Sequence, residues 1–286
     1  MLVFLRRRGL GLTSCREMAR IINEELGGEA QVVRNDSYHA IPHDGMVVRW
    51  GCTSNMYRPD VTVINSAESI HNCNDKLRAR VLMQDARVPV PKTFPYDPDW
   101  YEGNEFLEMT KDELAVRYVA RPAHHSQGRN LFVGNFNDCQ ATCINWGSGY
   151  ISEYIPKVRE VRVFVAQGRV VWVAEKTPAD PTAHAWNVAQ GGRFDNVRWS
   201  DWPISACVAA IFAARALGVN FAGIDVVLDA EGRSYVLEAN SAPSQTSPYR
   251  QLCSAKAFKW MYENGKDNLA YHVGTWKELI HPAIRS

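Results

Sequence analysis

Apolar and polar positions alternate strictly over Glu160–Ala166, with Glu160 and Arg162 on one face and Val161, Val163 and Val165 on the other. That period of two predicts a half-buried β-strand. Gln167-Gly168 predicts a tight hairpin into a second strand, Arg169–Ala174. A later stretch has the same form: Ile224–Leu228, turn residues Asp229-Ala-Glu-Gly232, then Ser234–Leu237. Towards the N-terminus, Leu2–Leu5 predicts a buried strand, and Met18, Ile21, Ile22 and Leu26 fall on one helix face that Gly27-Gly28 ends. Gln31–Arg34, Gly45–Trp50 and Val61–Asn65 predict further strands. Strand, helix and strand in that order suggest a small α/β unit with parallel pairing. Asp75-Lys76 opens a helix to about Gln84, and Pro89 and Pro91 then force an extended exit. A domain boundary is placed near residue 93.

In the second unit, Thr110–Glu113 has the form of a helix N-cap. Tyr118–Arg121 predicts a short strand delivering Arg121 to the loop Ala123–Arg129, and Leu131–Val133 resumes a strand. Tyr150–Ile155 predicts a strand that Pro156 stops. Glu175–Arg193 is a long loop rich in Pro and Gly, of the length that is usually functional or disordered. A helix over Asp201–Leu217, with Pro203 in its first turn, should bury Ile204, Val208, Ile211, Phe212 and Ala216. Another helix lies near Leu252–Tyr262. The fold class is α/β, of the α+β kind.

The chain has 286 residues, 46% apolar and 22% charged, with a net charge of +1. Those values fit an ordinary globular protein and give no global pull towards nucleic acid or anionic membrane. Arg6-Arg-Arg8 and nine tryptophans suggest a nucleic-acid reader, but the balanced charge argues against it. No apolar run reaches the roughly 18 residues of a membrane span, and Met1–Arg8 reads as a first strand, not a signal peptide. Seven cysteines without a Cys-x-x-Cys pair predict reduced thiols and a cytoplasmic location. Neither membrane nor nucleic acid is expected as a partner.

Candidate chemistry is concentrated in the later hairpin. Asp225 sits inside its first strand, and Glu238 and Asn240 end the second on one face. Antiparallel pairing would bring the three together. On the hairpin alone two readings stand: acids on a wet sheet face, or a hard-cation site of two carboxylates and an amide oxygen. Gly9 and Gly11 read as a strand-to-helix turn. Adjacent His124 and His125 point apart in an extended loop and read as polar lid residues, not joint metal ligands. The Tyr96–Gly103 stretch has no decodable function.

Several stretches, in order, resemble the ATP-grasp superfamily and within it the RimK-type amino-acid ligases, over about Asn65–Pro243. They are Asn65-Ser66, Asn74-Asp-Lys76 and Val88-Pro-Val-Pro91; Tyr118-Val-Ala-Arg-Pro122; Ser152-Glu-Tyr-Ile155; Glu160–Val165; Trp186–Gly192; Ala222-Gly-Ile-Asp225; and Leu237–Pro243. The resemblance implies an N-terminal unit over 1–93 and an ATP-grasp domain over 94–286. The latter would have a lid at about 94–155 and a C-terminal part at about 156–286, sandwiching ATP. It implies Mg²⁺, with Mn²⁺ as a substitute, on Asp225, Glu238 and Asn240. Lys76 and Arg121 would contact phosphates, with Lys176 also in the nucleotide site. Glu153, Tyr154 and Ile155 would line the adenine hinge and Glu160 would meet the ribose. Arg162 and Asn187 would be the catalytic pair at the γ-phosphate.

Two departures stand out. Arg121 replaces the family's Lys, a planar fork for a point charge. Ala185 occupies a position where the family carries Arg, and Lys176, Arg193 and His184 are candidates to replace that cation. The expected function is an ATP-dependent ligase joining a small-molecule or peptide carboxylate to an amine through an acyl-phosphate. The alternative is an ATP-grasp module that binds nucleotide but is catalytically impaired.

Overall fold

Strand β1 (Leu2–Arg6) is buried along its whole length, as expected of a central strand in a parallel sheet. The structure is a computed structural model that describes residues 1–7, 9, 11–54, 58–96, 116–122, 130–180, 182–186, 191–266 and 276–285. Asn187, His124, His125, Thr110–Glu113 and nearly all of the Tyr96–Gly103 stretch lie outside those residues. Helix α1 (Leu12–Glu24) buries Cys15, Met18, Ile21 and Ile22 and carries the chain to β2 (Ala30–Arg34). β3 (Met46–Trp50) and β4 (Thr62–Ile64) complete a parallel sheet in the order β2-β1-β3-β4, as expected.

Helix α2 (Ala67–Asn74) has no counterpart among the expected elements. Ser66 starts it by accepting the Ser69 N–H at 3.0 Å. Helix α3 (Lys76–Asp85) starts where expected, with the Asp75 carboxylate accepting the Arg78 N–H at 2.9 Å. Cys73, Ala79 and Met83 of this pair enter the core built around the C-terminal sheet. A buried clamp fixes the arrangement. The Asn65 side chain accepts from the Asn220 and Phe221 N–H groups (2.8 and 3.0 Å) and donates to the Phe221 carbonyl (2.7 Å). Asn220 Oδ1 accepts the Asn65 N–H in return at 2.8 Å.

A second sheet combines β5 (Thr93–Pro95), β6 (Tyr118–Arg121), β7 (Phe132–Gly134) and β8 (Tyr150–Glu153) in the antiparallel order β5-β8-β6-β7. Helix α4 (Phe136–Trp146), also absent from the expected elements, packs Phe136, Cys139 and Cys143 onto it. Its signals are Asn135, which accepts the Asp138 N–H, and Gly147, left-handed at φ 64°.

The third sheet is antiparallel throughout: β11 (Arg193–Asn196), β10 (Arg169–Thr177), β9 (Arg159–Ala166), β12 (Phe221–Leu228) and β13 (Ser234–Asn240), in that spatial order. Gln167 and Gly168 join β9 to β10 with φ of 47° and 68°, as a two-residue hairpin requires. β10 runs on to Thr177, so Lys176 is a strand residue and not part of the long loop. Pairing with β11, where Lys176 faces Phe194, extends it.

On the back of this sheet, Val161, Val163, Val165, Ile224 and Val226 pack against helix α5 (Ile204–Ala216). Its buried face differs from the expected one. Ile204 and Phe212 are exposed (54% and 40%), while Ala206, Ala209, Ala210 and Ala213 are buried. Small side chains let the helix sit close to the strands, so bulk was the wrong guide to its inner face. On the front, Phe164, Trp172 and Phe221 meet Trp50 and helix α6 (Pro248–Asn264), with the Phe221 and Phe258 rings 4.6 Å apart. All seven cysteines are free and buried. Among the described residues no helix is long and apolar enough to cross a membrane.

Candidate active site

The front of the C-terminal sheet changes character halfway along its strands. Beyond the aromatic residues the same face presents Glu160 and Arg162 from β9, Lys176 from β10, Asp225 from β12 and Glu238 and Asn240 from β13. Register explains the convergence: Arg162 lies opposite Asp225, and Asp225 opposite Glu238. A bulge at Leu237 makes this possible. Without the extra residue, Val236 and Glu238 would share a face; with it, Val236 enters the core and Glu238 faces forward.

These residues form the floor of a cavity of about 700 Å³, roofed by the second sheet through Val119, Arg121, Val133, Tyr150 and Ser152. Arg162 grips Asp225 as a fork, Nε to Oδ1 at 2.6 Å and Nη2 to Oδ2 at 2.8 Å. Lys176 Nζ donates to the same Oδ2 at 2.9 Å and also to Glu160, whose other oxygen accepts from Lys157. Lys157 lies over the Trp186 ring at 4.6 Å. At the far edge, Lys76 donates to the Cys73 and Ala239 carbonyls (3.1 and 3.3 Å) and stands 3.6 Å from Glu238. Asn240 donates to Glu238 at 3.0 Å.

The electrostatics follow from burial set against pairing. Burial pushes the Glu160 carboxyl up, but Lys176 and Lys157 outweigh it and hold it below its ordinary value. Glu238 is likewise held well below the usual carboxylate range, burial being overcome by Lys76 and Lys176. Burial pulls Lys176 down, but Asp225 and Glu160 outweigh it and raise the amine; at Lys157 burial dominates and lowers it. Among the described residues Arg7, Lys76, Arg80, Arg121, Lys157, Arg162 and Lys176 line the cavity against Glu153, Glu160, Asp225 and Glu238. The cationic excess suits an anion of several charges.

Of the site residues expected from sequence, Lys76, Arg121, Glu153, Tyr154, Ile155, Glu160, Arg162, Lys176, Asp225, Glu238 and Asn240 all line this one cavity. Asn187 lies outside the described residues. The Glu153 and Tyr154 N–H groups are already bonded to the Lys92 and Arg117 carbonyls (both 2.8 Å), which leaves the Ile155 end of that segment to meet a ring. Ala185 lines the cavity beside His184, whose Nδ1 is 3.1 Å from the Tyr154 hydroxyl. Arg193 faces solvent and pairs with Asp195, so it does not replace the missing cation. Sequence reasoning missed Arg80, Lys157 and Tyr150. Arg80 had one available signal, its place four residues after Lys76 on a single helix.

Glu238 and Asn240 suit a hard cation, offering a carboxylate and an amide oxygen side by side. Asp225 would join them only by loosening Arg162 or Lys176. Among the described residues no three His, Cys, Asp or Glu side chains are grouped to hold an ion. A divalent cation here would therefore take its remaining oxygens from a ligand, as Mg²⁺ does with phosphates.

Residues 90–259, more than half of the chain, match a family model described as an ATP-grasp domain, family 3 of its clade. The chain belongs to that family. A probable alpha-L-glutamate ligase of Alkalilimnicola ehrlichii is 27% identical over 217 residues, covering 70% of this chain and 69% of that one. One from Legionella pneumophila is 26% identical over 221 residues, covering 71% and 70%. Among solved structures, the ATP-grasp ligase PsnB complexed with minimal precursor, Mg and ADP aligns with a TM-score of 0.61 at 16% identity, over 89% of this chain and 95% of that one. D-alanine–D-alanine ligase from Bacillus anthracis aligns with a TM-score of 0.57 at 15% identity, over 92% and 99%. The structural likeness establishes the ATP-grasp fold. Fold, family and relatives agree on an ATP-dependent ligase.

Proposed function

We propose that the chain joins a carboxylate to an amine at the expense of ATP. A substrate carboxylate takes the γ-phosphoryl group, with ADP leaving; an amine nitrogen then attacks the acyl carbon, phosphate departs and the amine's proton passes to solvent. Splitting the condensation in this way gives the acid a leaving group that water alone does not provide. The observation that carries the reading is the cavity itself, cationic overall, with paired oxygen donors at one edge and apolar walls from Val119, Leu131, Val133 and Ile155. Phosphoryl transfer depends on positioning and on neutralising charge, which fixed cations supply.

Within that proposal Lys76, Arg121, Lys176 and Arg162 hold the phosphate chain, with Asn187 beside Arg162 at the transferred group. Glu238, Asn240 and, on release from its cations, Asp225 hold Mg²⁺, or Mn²⁺ in its place, which supplies charge neutralisation when bound. Glu153, Tyr154 and Ile155 border the adenine. Glu160 has both oxygens held by lysines, so we assign it to positioning Lys157 and Lys176 instead of contacting ribose. The relatives' names point to amino-acid carboxylates and amines as the first substrates to try, free or within a peptide. A cytoplasmic location belongs to the same proposal and rests on the seven buried thiols.

The test is ADP release over a panel of carboxylates paired with amines. One pair should stimulate release, and Glu238→Ala should abolish it by removing an oxygen donor. No stimulation by any pair in a protein that binds Mg-ATP would refute the ligase. It would instead favour a nucleotide-binding module with impaired catalysis, the reading to which Ala185 in the cavity wall points.

A further inference from the structure

Arg80 is 6% exposed, lines the cavity, and forms no hydrogen bond with any described residue; its Nη1 is sealed from solvent without a partner. Buried guanidinium groups are ordinarily paired, because desolvating a charge without compensation is costly. Its surroundings sharpen the anomaly. Lys76 precedes it by one helical turn on α3, and like charges at that spacing repel. Burial lowers the Arg80 guanidinium from its ordinary value; Tyr150 and Glu238 pull it back and Arg121 pushes it further down. Two arginines and a lysine therefore border one end of the cavity, with Glu238 the carboxylate facing them. Such an arrangement suits a ligand that brings several negative charges at once, as an oligophosphate does.

We propose that Arg80 is a further anchor for the phosphate chain of the nucleotide, acting with Lys76 and Arg121. This assignment rests on the ATP-site reading above. Guanidinium binds phosphate through paired N–H groups, a geometry that a lysine cannot reproduce. The residue belongs to the ground-state grip on the nucleotide, so it acts on affinity whichever carboxylate and amine are used. It also supplies, from a different element, a cation to a site in which Ala185 supplies none.

The experiment is calorimetric titration of the wild-type chain, Arg80→Gln and Arg80→Lys with ATP, ADP and AMP, together with thermal melts without ligand. Arg80→Gln should weaken ATP about 10- to 100-fold, the range of charge-assisted hydrogen bonds, and AMP by less than about 3-fold. Arg80→Lys should recover part of the loss. Without ligand, Arg80→Gln should melt at or above the wild-type temperature, because it removes an unpaired buried charge. A merely structural arginine would lower the melting temperature and weaken ATP and AMP alike; that result overturns the assignment. Unchanged ATP affinity in Arg80→Gln also overturns it while leaving the ATP-site reading intact. Failure of the wild-type chain to bind any nucleotide overturns both.

Discussion

The two halves of the front face of the C-terminal sheet are built by the same strands in the same register, yet they hold the molecule together in opposite ways. In one half Phe164, Trp172 and Phe221 are closed over by Trp50 and α6. In the other Arg162, Lys176, Asp225 and Glu238 are left to each other beneath a cavity. Strand alternation assigns side chains to a face; what covers that face decides whether the positions favour rings or charges. The apolar half is stabilised by area removed from water and is indifferent to small anions. The charged half gains little net stability from its pairs, whose attraction offsets their own desolvation. Its value is a set of charges held ready for exchange with a ligand.

That contrast can be broken most forcefully at Asp225. Asp225→Leu orphans Arg162 and part of Lys176, and should cost about 3–5 kcal/mol in denaturant unfolding and remove measurable Mg-ATP binding. Phe221→Leu, a few residues away on the same strand, should cost roughly 1–2 kcal/mol with nucleotide affinity retained once the protein is folded. Loss of nucleotide binding in both variants would mean that the halves are not separable.

Acid separates them along a different axis. Glu160 and Glu238 have folded values below their unfolded ones, so they contribute stability above the ordinary carboxylate range of about 4, lost as pH falls through their depressed values. His281, buried at the edge of the apolar half against Trp260, behaves otherwise. Burial, with Arg169 and Arg285 nearby, lowers it from 6.5 to about 3. Between those values the unfolded chain takes up a proton that the folded chain refuses, so stability falls with pH by about 1.4 kcal/mol per unit. Urea unfolding across pH 7 to 4 should show that slope in the wild type, and His281→Gln should flatten it; an unchanged slope would contradict a buried neutral imidazole. The smallest effect belongs to the hairpin closing the apolar half. Gln167→Asn suits the left-handed backbone better and should raise stability by about 0.5 kcal/mol without altering nucleotide affinity.

The period-two pattern of Glu160–Ala166 and the Asp225/Glu238/Asn240 hairpin were legible in the sequence because strand geometry is local. The division of the front face was not, since the cover over Phe164 and Phe221 comes from residues near positions 50 and 258. Lys176 was hidden by the prolines that follow it: the strand persists because β11 pairs with it from beyond the loop. Arg80 looked like any arginine on a surface helix, and only the packing of α2 and α3 against the C-terminal core turns it inward. Ile204 and Phe212 misled for the complementary reason, an alanine face being invisible to a search for bulk.

The Asn65 clamp gives the site a mechanical asymmetry. By tying the end of β4 to the start of β12, it makes the α3 cations and the floor carboxylates parts of one jaw. Lys76 and Glu238 keep their spacing because both hang from that jaw. Arg121 and the Glu153–Ile155 segment belong to the opposing sheet, so any change in the gap between the sheets alters the grip on base and roof-side phosphate while the floor stays in calibration. Asn65→Ala would let the jaw flex and spread that slack into the distances on which phosphoryl transfer depends.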